Sequence, residues 1–587
     1  MTGLADLDLF PPGVRLVAGR RRAPLRGVRH DVAGFCGITE RGPVAKPVRV
    51  ESEEAFRAVF GGPVAQGLLA PSIALFFRNG GRAAWIVRVA DLETAVPARL
   101  RLPGPGNTAL DLIASSPGCW GNSVSVLFFP RSLTRFDMRV EGPAGRVELW
   151  RGLSFEELAT ETSRNAAFSK QVTPIDDAAP PSDSTGAAAG GNSLLQALPG
   201  VTVESLVSNL TERRTGTGPL SSLAPSRAML SGGTDGLTNL CLSDFGVGTT
   251  AAVGLRVLEE VDEVAILALP DLVWQAPLPV PDAPQDPKPD CPLEGPPSAP
   301  EPTEPVPPPE KRPALSDADR ALVRAEMVAQ ARRQRDRVAI FDCEIPGDPR
   351  RIFADGADPA PGRRLTDGDF GALFFPWLKV DLEGTDALVP PSGAVAGIYA
   401  RTTLRDGPHR APANEPVAAI TGLAYEVDDV EHARLNGAQV NAIRRVPGLG
   451  LRVMGARTRR ADGPYRQIAI RRLVNFIVET LEEETAWLVF ETNDTATRSE
   501  LERVVRGFLD RIWRRGMLDG ARPEDAYRVR ADQSVNPPES IAAGRLTCTL
   551  ALRPPWPAEW VRVRLIRGDG GFEVEDLGTG GEPGSEV

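Results

Sequence analysis

Histidine is almost missing from this chain of 587 residues: there are three, His30, His409 and His432. A serine nucleophile needs a base, and the base needs an orienting acid. No Gly-x-Ser-x-Gly elbow and no Gly-Thr-Ser motif accompanies these histidines, and His409 lies in a proline-rich loop. Cysteine is sparse too. Cys36, Cys119, Cys241, Cys291, Cys343 and Cys548 stand singly, with no CxxC and no histidine at metal-ligand spacing. The expectation is a reducing compartment, no disulfide framework and no metal site. No apolar run is long enough to span a bilayer, and the acidic N-terminus lacks the layout of a signal peptide. The expected place of synthesis and assembly is the cytoplasm, with any exit by another route. An excess of positive charge is also lacking: the net charge is −10, with acids and bases mixed. That argues against nucleic acid as a partner. Gly232-Gly233-Thr234-Asp235-Gly236 lacks the Gly-Lys-Ser/Thr ending of a phosphate loop and is expected to be a tight turn. The expectation is no catalytic residue, no enzyme activity and no cofactor.

What is present is material for several cores. Length suggests roughly three or four domains of about 150 residues each, and 42% hydrophobic residues suffices to fill them. Residues 1–30 read as an arm, with the extended run Val14, Leu16, Val17 ahead of Arg20-Arg21-Arg22. Residues 31–91 read as a small α/β domain. Ser52 is the expected cap of a helix carrying Phe56, Val59 and Phe60, a second helix covers 73–77, and strands are expected at 32–38, 47–50 and 83–89. Residues 92–237 change to short strand-like pieces divided by Gly and Pro, with a loop at 176–192.

Residues 238–445 return to α/β. A helix is expected at 251–261 and a buried parallel strand at 264–269. An insertion at 277–313 follows, with sixteen prolines, and it cannot form a core. A helix begins at Ser316, and strands are expected at 338–341 and 373–380. Residues 446–557 are the most regular. One helix sets Ile470, Leu473, Val474, Ile477 and Leu481 on one face. A strand is expected at 486–490. A helix at 499–515 turns Leu501, Val504, Val505, Phe508 and Ile512 inward and Arg503, Arg506 and Arg514 outward. Those arginines read either as a solvated face or as a rail for an acidic partner. The fold class is α/β and α+β multidomain.

Residues 558–587 hold the last signal. Val561, Val563 and Leu565 alternate with Arg562 and Arg564 after Pro554, Pro555 and Pro557, so Trp560 to Ile566 reads as a strand with only a Gly/Glu-rich tail behind it. It is either an edge strand of its own sheet or a strand added to a neighbour's sheet edge.

Spaced blocks in fixed order resemble contractile phage tail sheath proteins. Residues 445–458 (Arg-Val-Pro-Gly-Leu-Gly-Leu-Arg-Val-Met-Gly-Ala-Arg-Thr) resemble the opening of that family's C-terminal domain. The likeness continues through Ile470-Arg471-Arg472-Leu473, Trp487 to Asp494, Leu509 to Gly520 and Ile541 to Leu552. Phe374 to Val380, Val389 to Gly393, Gly397 to Arg401, His409 to Asn414, Ser116 to Asn122 and Gly232 to Gly236 are further points of similarity. Met454 stands where the family usually has Trp, and Arg530-Ala531-Asp532 where Lys-Cys-Asp is frequent. The resemblance implies a subtilisin-like domain at 238–445, a C-terminal sheath domain at 446–557 and extended terminal arms. It implies a structural subunit polymerising as stacked hexameric rings around an inner tube, with baseplate and terminator proteins as further partners and no direct membrane insertion. Its arms (Val14, Leu16, Val17 and Trp560, Val561, Val563, Leu565, Ile566) would exchange strands with neighbours. Arg503, Arg506 and Arg514 are the candidates for facing the tube. Assembly in a bacterium, then a place in a phage tail or injection particle, follows from the same likeness. The alternatives are a subtilisin-like peptidase and a non-contractile scaffold.

Overall fold

The computed structural model describes residues 25–103, 109–131, 135–153, 195–197, 226–274, 310–344, 368–382, 384–555, 560–568 and 571–580. Val14, Leu16 and Val17, the basic triplet, the loop at 176–192, insertion residues 277–309 and the side chain of Trp560 lie outside them. The chain forms two compact units, Arg29–Asn475 and, in two pieces, Met1–Val28 with Phe476–Val587.

The unit Arg29–Asn475 is built on a nine-stranded sheet. Its order is Glu415–Pro416, Gly450–Val453, Val440–Val446, Gly371–Phe375, Val338–Asp342, Ile266–Ala268, Ala33–Gly37, Ala84–Arg88 and Pro47–Val50. The strands from Val440–Val446 through Ala84–Arg88 run parallel, and the outer pairs are antiparallel. Both faces are covered, as a parallel sheet requires. Phe35, Ile86, Ile266, Ile340 and Phe374 enter one core with the helices Glu53–Phe60, Leu69–Arg78 and Ser392–Asp406. Their neighbours Cys36, Val87, Leu267 and Phe341 enter the other, with the helix Asp317–Gln334. This is why the strands read as unbroken apolar runs. Two helices meet backbone to backbone: a Cβ on Gly393 would lie 2.1 Å from the Ser72 carbonyl oxygen, and one on Gly397 2.3 Å from that of Phe76.

The expected caps are in place. Ser52 Oγ accepts from Ala55 N, and Ser316 Oγ from Asp319 N. The described strands between 99 and 229 form a three-stranded sheet (Arg99–Pro103, Ala109–Ala114, Leu195–Ala197) and a four-stranded one (Ser226–Met229, Ser125–Pro130, Phe136–Glu141, Val147–Leu153). Trp120, Val126, Met138 and Trp150 share their core.

Several expectations are corrected. Residues 31–91 are no separate domain, because Ala33–Gly37 pairs directly with Ile266–Ala268. The boundary expected at 446 falls at the end of Val440–Val446, which hairpins with Gly450–Val453. The two units divide instead within the helix Ile468–Glu484. The strand expected at 373–380 is two strands, Gly371–Phe375 and Leu378–Leu382, in different sheets. The helix expected at 251–261 is a 3-10 segment, Gly254–Glu260, because Val253 is extended and Gly254 takes φ +54°. The strand expected at 486–490 is also 3-10: it follows the preceding helix at once, with Leu488 N bonded to the Thr485 carbonyl. A five-residue apolar run has too few periods to separate these forms.

Candidate assembly site

The unit containing Phe476–Val587 ends in a four-stranded antiparallel sheet: Tyr527–Arg530, Leu546–Leu552, Trp560–Gly568, Gly571–Gly580. The alternation read at 560–566 holds, since Val561, Val563 and Leu565 are fully buried. They face Leu552, Leu550 and Cys548. The expected position differs. Trp560–Gly568 is an interior strand, because the tail behind it also forms a strand, Gly571–Gly580, which becomes the outermost of the sheet. Glycine and acidic residues hid that strand, yet pairing satisfies its backbone regardless of side chain. A bulge lies at Arg562/Val563, and Leu577 is exposed there.

Arg567 closes the buried row. It stands opposite Leu546. Its Nη1 donates to the carbonyl of Leu488 at 3.1 Å and to that of Glu491, and its Nη2 to that of Gly544 at 3.1 Å. These carbonyls lie at the end of the 3-10 turn Ala486–Phe490 and after the turn Pro538–Ala542, and that of Leu488 also accepts from Glu491 N at 3.2 Å.

The helix expected at 499–515 spans Thr495–Arg514, capped by Asp494, whose carboxylate accepts from Thr497 N at 2.7 Å. Leu501, Val504, Val505, Phe508 and Ile512 are buried as expected. Arg503, Arg506 and Arg514 lie outward and are all ion-paired on their own helix, with Glu500 (2.6 Å), Glu502 (2.7 Å) and Asp510 (2.7 Å). Acid and base along this face therefore offset one another.

The other place to look for chemistry is the crevice of the nine-stranded sheet. In open α/β sheets ligands bind where the strand order reverses, here between the carboxyl ends of Ala33–Gly37 and Ile266–Ala268. The chain itself fills that position. Asp271 is fully buried and accepts from Ile38 N at 2.7 Å and Leu68 N at 2.6 Å. Arg312, from the end of the proline-rich insertion, donates to the Asp271 carbonyl at 2.7 Å, pairs with its carboxylate at 3.5 Å and stacks over Trp274. Burial pushes the Asp271 carboxyl up, and Arg312 partly offsets that. Glu310, two residues earlier, accepts from the amides of Asp235 and Leu237 at 2.7 and 2.9 Å. The segment read as a turn thus binds an anion after all, a carboxylate of its own chain.

Cys119, Asp235 and Glu310 bring their ligand atoms within 4.8 Å of one another. Sequence spacing could not have shown this grouping. Asp235 already accepts from Cys119 N at 2.9 Å, Arg88 lies 3.9 Å from the same oxygen, and burial pushes the Cys119 thiol up to about 12. The Cys119 thiol lies 3.9 Å from the Glu310 carboxylate, so the group is a hydrogen-bonded junction within the chain. At the end of Val338–Asp342, the Asp342 carboxylate accepts from Ser392 N at 2.8 Å, with both residues buried. The histidines lie apart: His30 is buried, with its pKa pushed well down by burial, and His432 Nε2 lies 3.0 Å from the Met454 carbonyl. Among the described residues no helix is long and apolar enough to cross a membrane.

Residues 460–565 match the family described as phage tail sheath C-terminal domain. The tail sheath protein of Salmonella phage ViI is 23% identical over 198 residues, 33% of this chain and 30% of that protein, so the match spans under a third of that relative. The tail sheath protein of Enterobacteria phage T4 is 23% identical over 32% of this chain and 28% of its own length. Among solved structures, the sheath tail protein from Desulfitobacterium hafniense matches with a TM-score of 0.54 at 12% identity, covering 94% of this chain and 99% of that one. Residues 460–565 are thus similar to a phage tail sheath C-terminal domain, and the chain over nearly its whole length is similar in fold to a sheath tail protein.

Proposed function

We propose that this chain is the structural subunit of a contractile tail sheath. Copies assemble as stacked hexameric rings around an inner tube, and contraction drives the tube through a target envelope. The observation that carries this is the terminal four-stranded sheet, which begins inside the matched residues 460–565 and runs beyond them: its last two strands follow a proline arm and end in an open edge among the described residues. An open edge offers unpaired amides and carbonyls to a further strand. On this reading the terminal segments, Val14 to Val17 and Trp560 to Ile566, exchange strands between neighbours. The hairpin Trp560–Gly568 with Gly571–Gly580 is then the single-chain form of a pairing that neighbours share. Arg503, Arg506 and Arg514 are proposed to face the tube, and baseplate and terminator proteins to close the ends of the polymer. The domain on the nine-stranded sheet is read as the family's subtilisin-like domain, without activity. Its crevice is filled by Asp271 and Arg312, and its helix-terminal serine, Ser392, is buried beside Asp342.

Electron microscopy of the purified chain, alone and with a candidate tube protein, tests the proposal. Hollow cylinders with helical ridges are expected, longer and narrower with the tube. Monodisperse monomers in both conditions would overturn it.

A further inference from the structure

We infer that Arg567 is the residue that sets the register of the strand Trp560–Gly568, whichever copy of the chain supplies that strand. The alternation of Val561, Val563 and Leu565 cannot do so alone. A slip of one residue turns the apolar row outward and is forbidden by burial. A slip of two keeps the row inward, exchanging one apolar side chain for another of similar size. Something at the end of the row must distinguish these frames. Arg567 has the same inward parity as Val561, Val563 and Leu565, and it faces Leu546 at the end of the partner strand. Its guanidinium meets three carbonyls, of Leu488, Glu491 and Gly544, which no other register brings to it.

A slip of two in one sense sets Arg567 opposite Cys548, which is fully buried in the apolar row. A slip in the other sense sets Leu565 at the carbonyls and carries Arg567 past the end of Leu546–Leu552. Both withdraw the guanidinium from the three carbonyls it meets. A planar fork suits carbonyls approaching from several directions better than an ammonium does, and the ends of helical turns favour a cation. The bulge at Arg562/Val563 shows why such a pin is needed: on its other side this strand already tolerates a shifted frame.

The inference rests on the strand-exchange reading only for the statement that a neighbour's strand is read in the same way. The test is disulfide trapping in the full chain. Thr549 lies opposite Arg564, so Thr549→Cys with Arg564→Cys reports the native register. Thr547→Cys with Arg564→Cys, and Ala551→Cys with Arg564→Cys, report slips of two in either sense. Disulfides are mapped by mass spectrometry on mixtures of isotope-labelled and unlabelled chains, which separates bonds within a chain from bonds between chains. With Arg567 present, the native pair is expected to dominate. In Arg567→Met the slipped pairs are expected to rise about tenfold or more. If Arg567→Met does not fold, Arg567→Lys is measured in its place, and slipped pairs are again the expected result. Native pairs alone in the folded variant would overturn the inference. Bonds found only within chains, in assembled polymer, would overturn strand exchange and leave the register pin standing.

Discussion

Asp342 stands at the carboxyl end of a central parallel strand, fully buried, with its carboxylate aimed at the amide of Ser392. Burial raises it to about 7, and its bonds to Ser392 pull the other way. An unfolded aspartate titrates near about 3.9. The folded chain therefore holds this proton more tightly than the unfolded chain does. The resulting contribution to stability is full below the unfolded value and is lost as pH rises through about 7. Wild-type protein should lose stability as pH rises from about 4 to about 7, by an amount of the order of a few kcal/mol from this residue. Asp342→Asn keeps the acceptor and removes the titration, so its urea midpoint should change less across that window. Equal slopes for the two proteins would show that Asp342 does not titrate there. At this scale the caps at Ser52 and Ser316 were legible, because capping is local chemistry within three residues. Asp271 and Asp342 were not, since nothing near them in the chain marks them as buried.

At the scale of elements, the helix Thr495–Arg514 was read correctly in its buried face, because a 3.6-residue period survives any tertiary context. Its outer face read either as a solvated face or as a basic rail, and the structure adds the acids that pair with its arginines. Reversing Arg503, Arg506 and Arg514 to glutamate replaces three attractive pairs at i,i+3 or i,i+4 with repulsive ones. The expected cost to the chain alone is about 0.4–1 kcal/mol per pair, the attraction lost plus the repulsion gained, measurable by urea unfolding. Co-assembly with a tube protein should fall much further than that. Co-sedimentation unchanged by the reversal would remove these arginines from the tube interface and leave the sheath reading intact. The strand Gly571–Gly580 shows the opposite limit. Its glycines and acids outnumber the strand-favouring Phe572, Val574 and Thr579, and its pairing with Trp560–Gly568 completes it as a strand.

At the scale of the whole molecule, the terminal strands are proposed to decide between a folded chain and a polymer. Deleting residues 560–587 removes Val561, Val563 and Leu565, all fully buried, from against Leu546–Leu552. The sequence reading expects a folded chain that does not polymerise. The structure sharpens this: the unit Arg29–Asn475 should keep its own unfolding transition, while the terminal unit loses cooperativity. Electron microscopy should show no sheaths, and sheaths of undiminished length would end the strand-exchange reading. The domain boundaries were the least legible feature. Residues 31–91 have the helices and strands of a complete small unit, yet Ala33–Gly37 and Ile266–Ala268 are adjacent in one sheet across more than two hundred residues of chain.

By itself the sequence determined what depends on near neighbours: the capped helices, the buried apolar runs, the alternation at 561–565 and the ordered blocks that resemble sheath proteins. Only the tertiary structure decided which strands share a sheet, that Asp271 and Arg312 fill the crevice, and that Arg567 meets three carbonyls. The reason is physical. Periodicity and capping act over a few residues, whereas strand partners are chosen by burial between distant segments. The energy of a buried charge likewise depends on what surrounds it once water has been excluded.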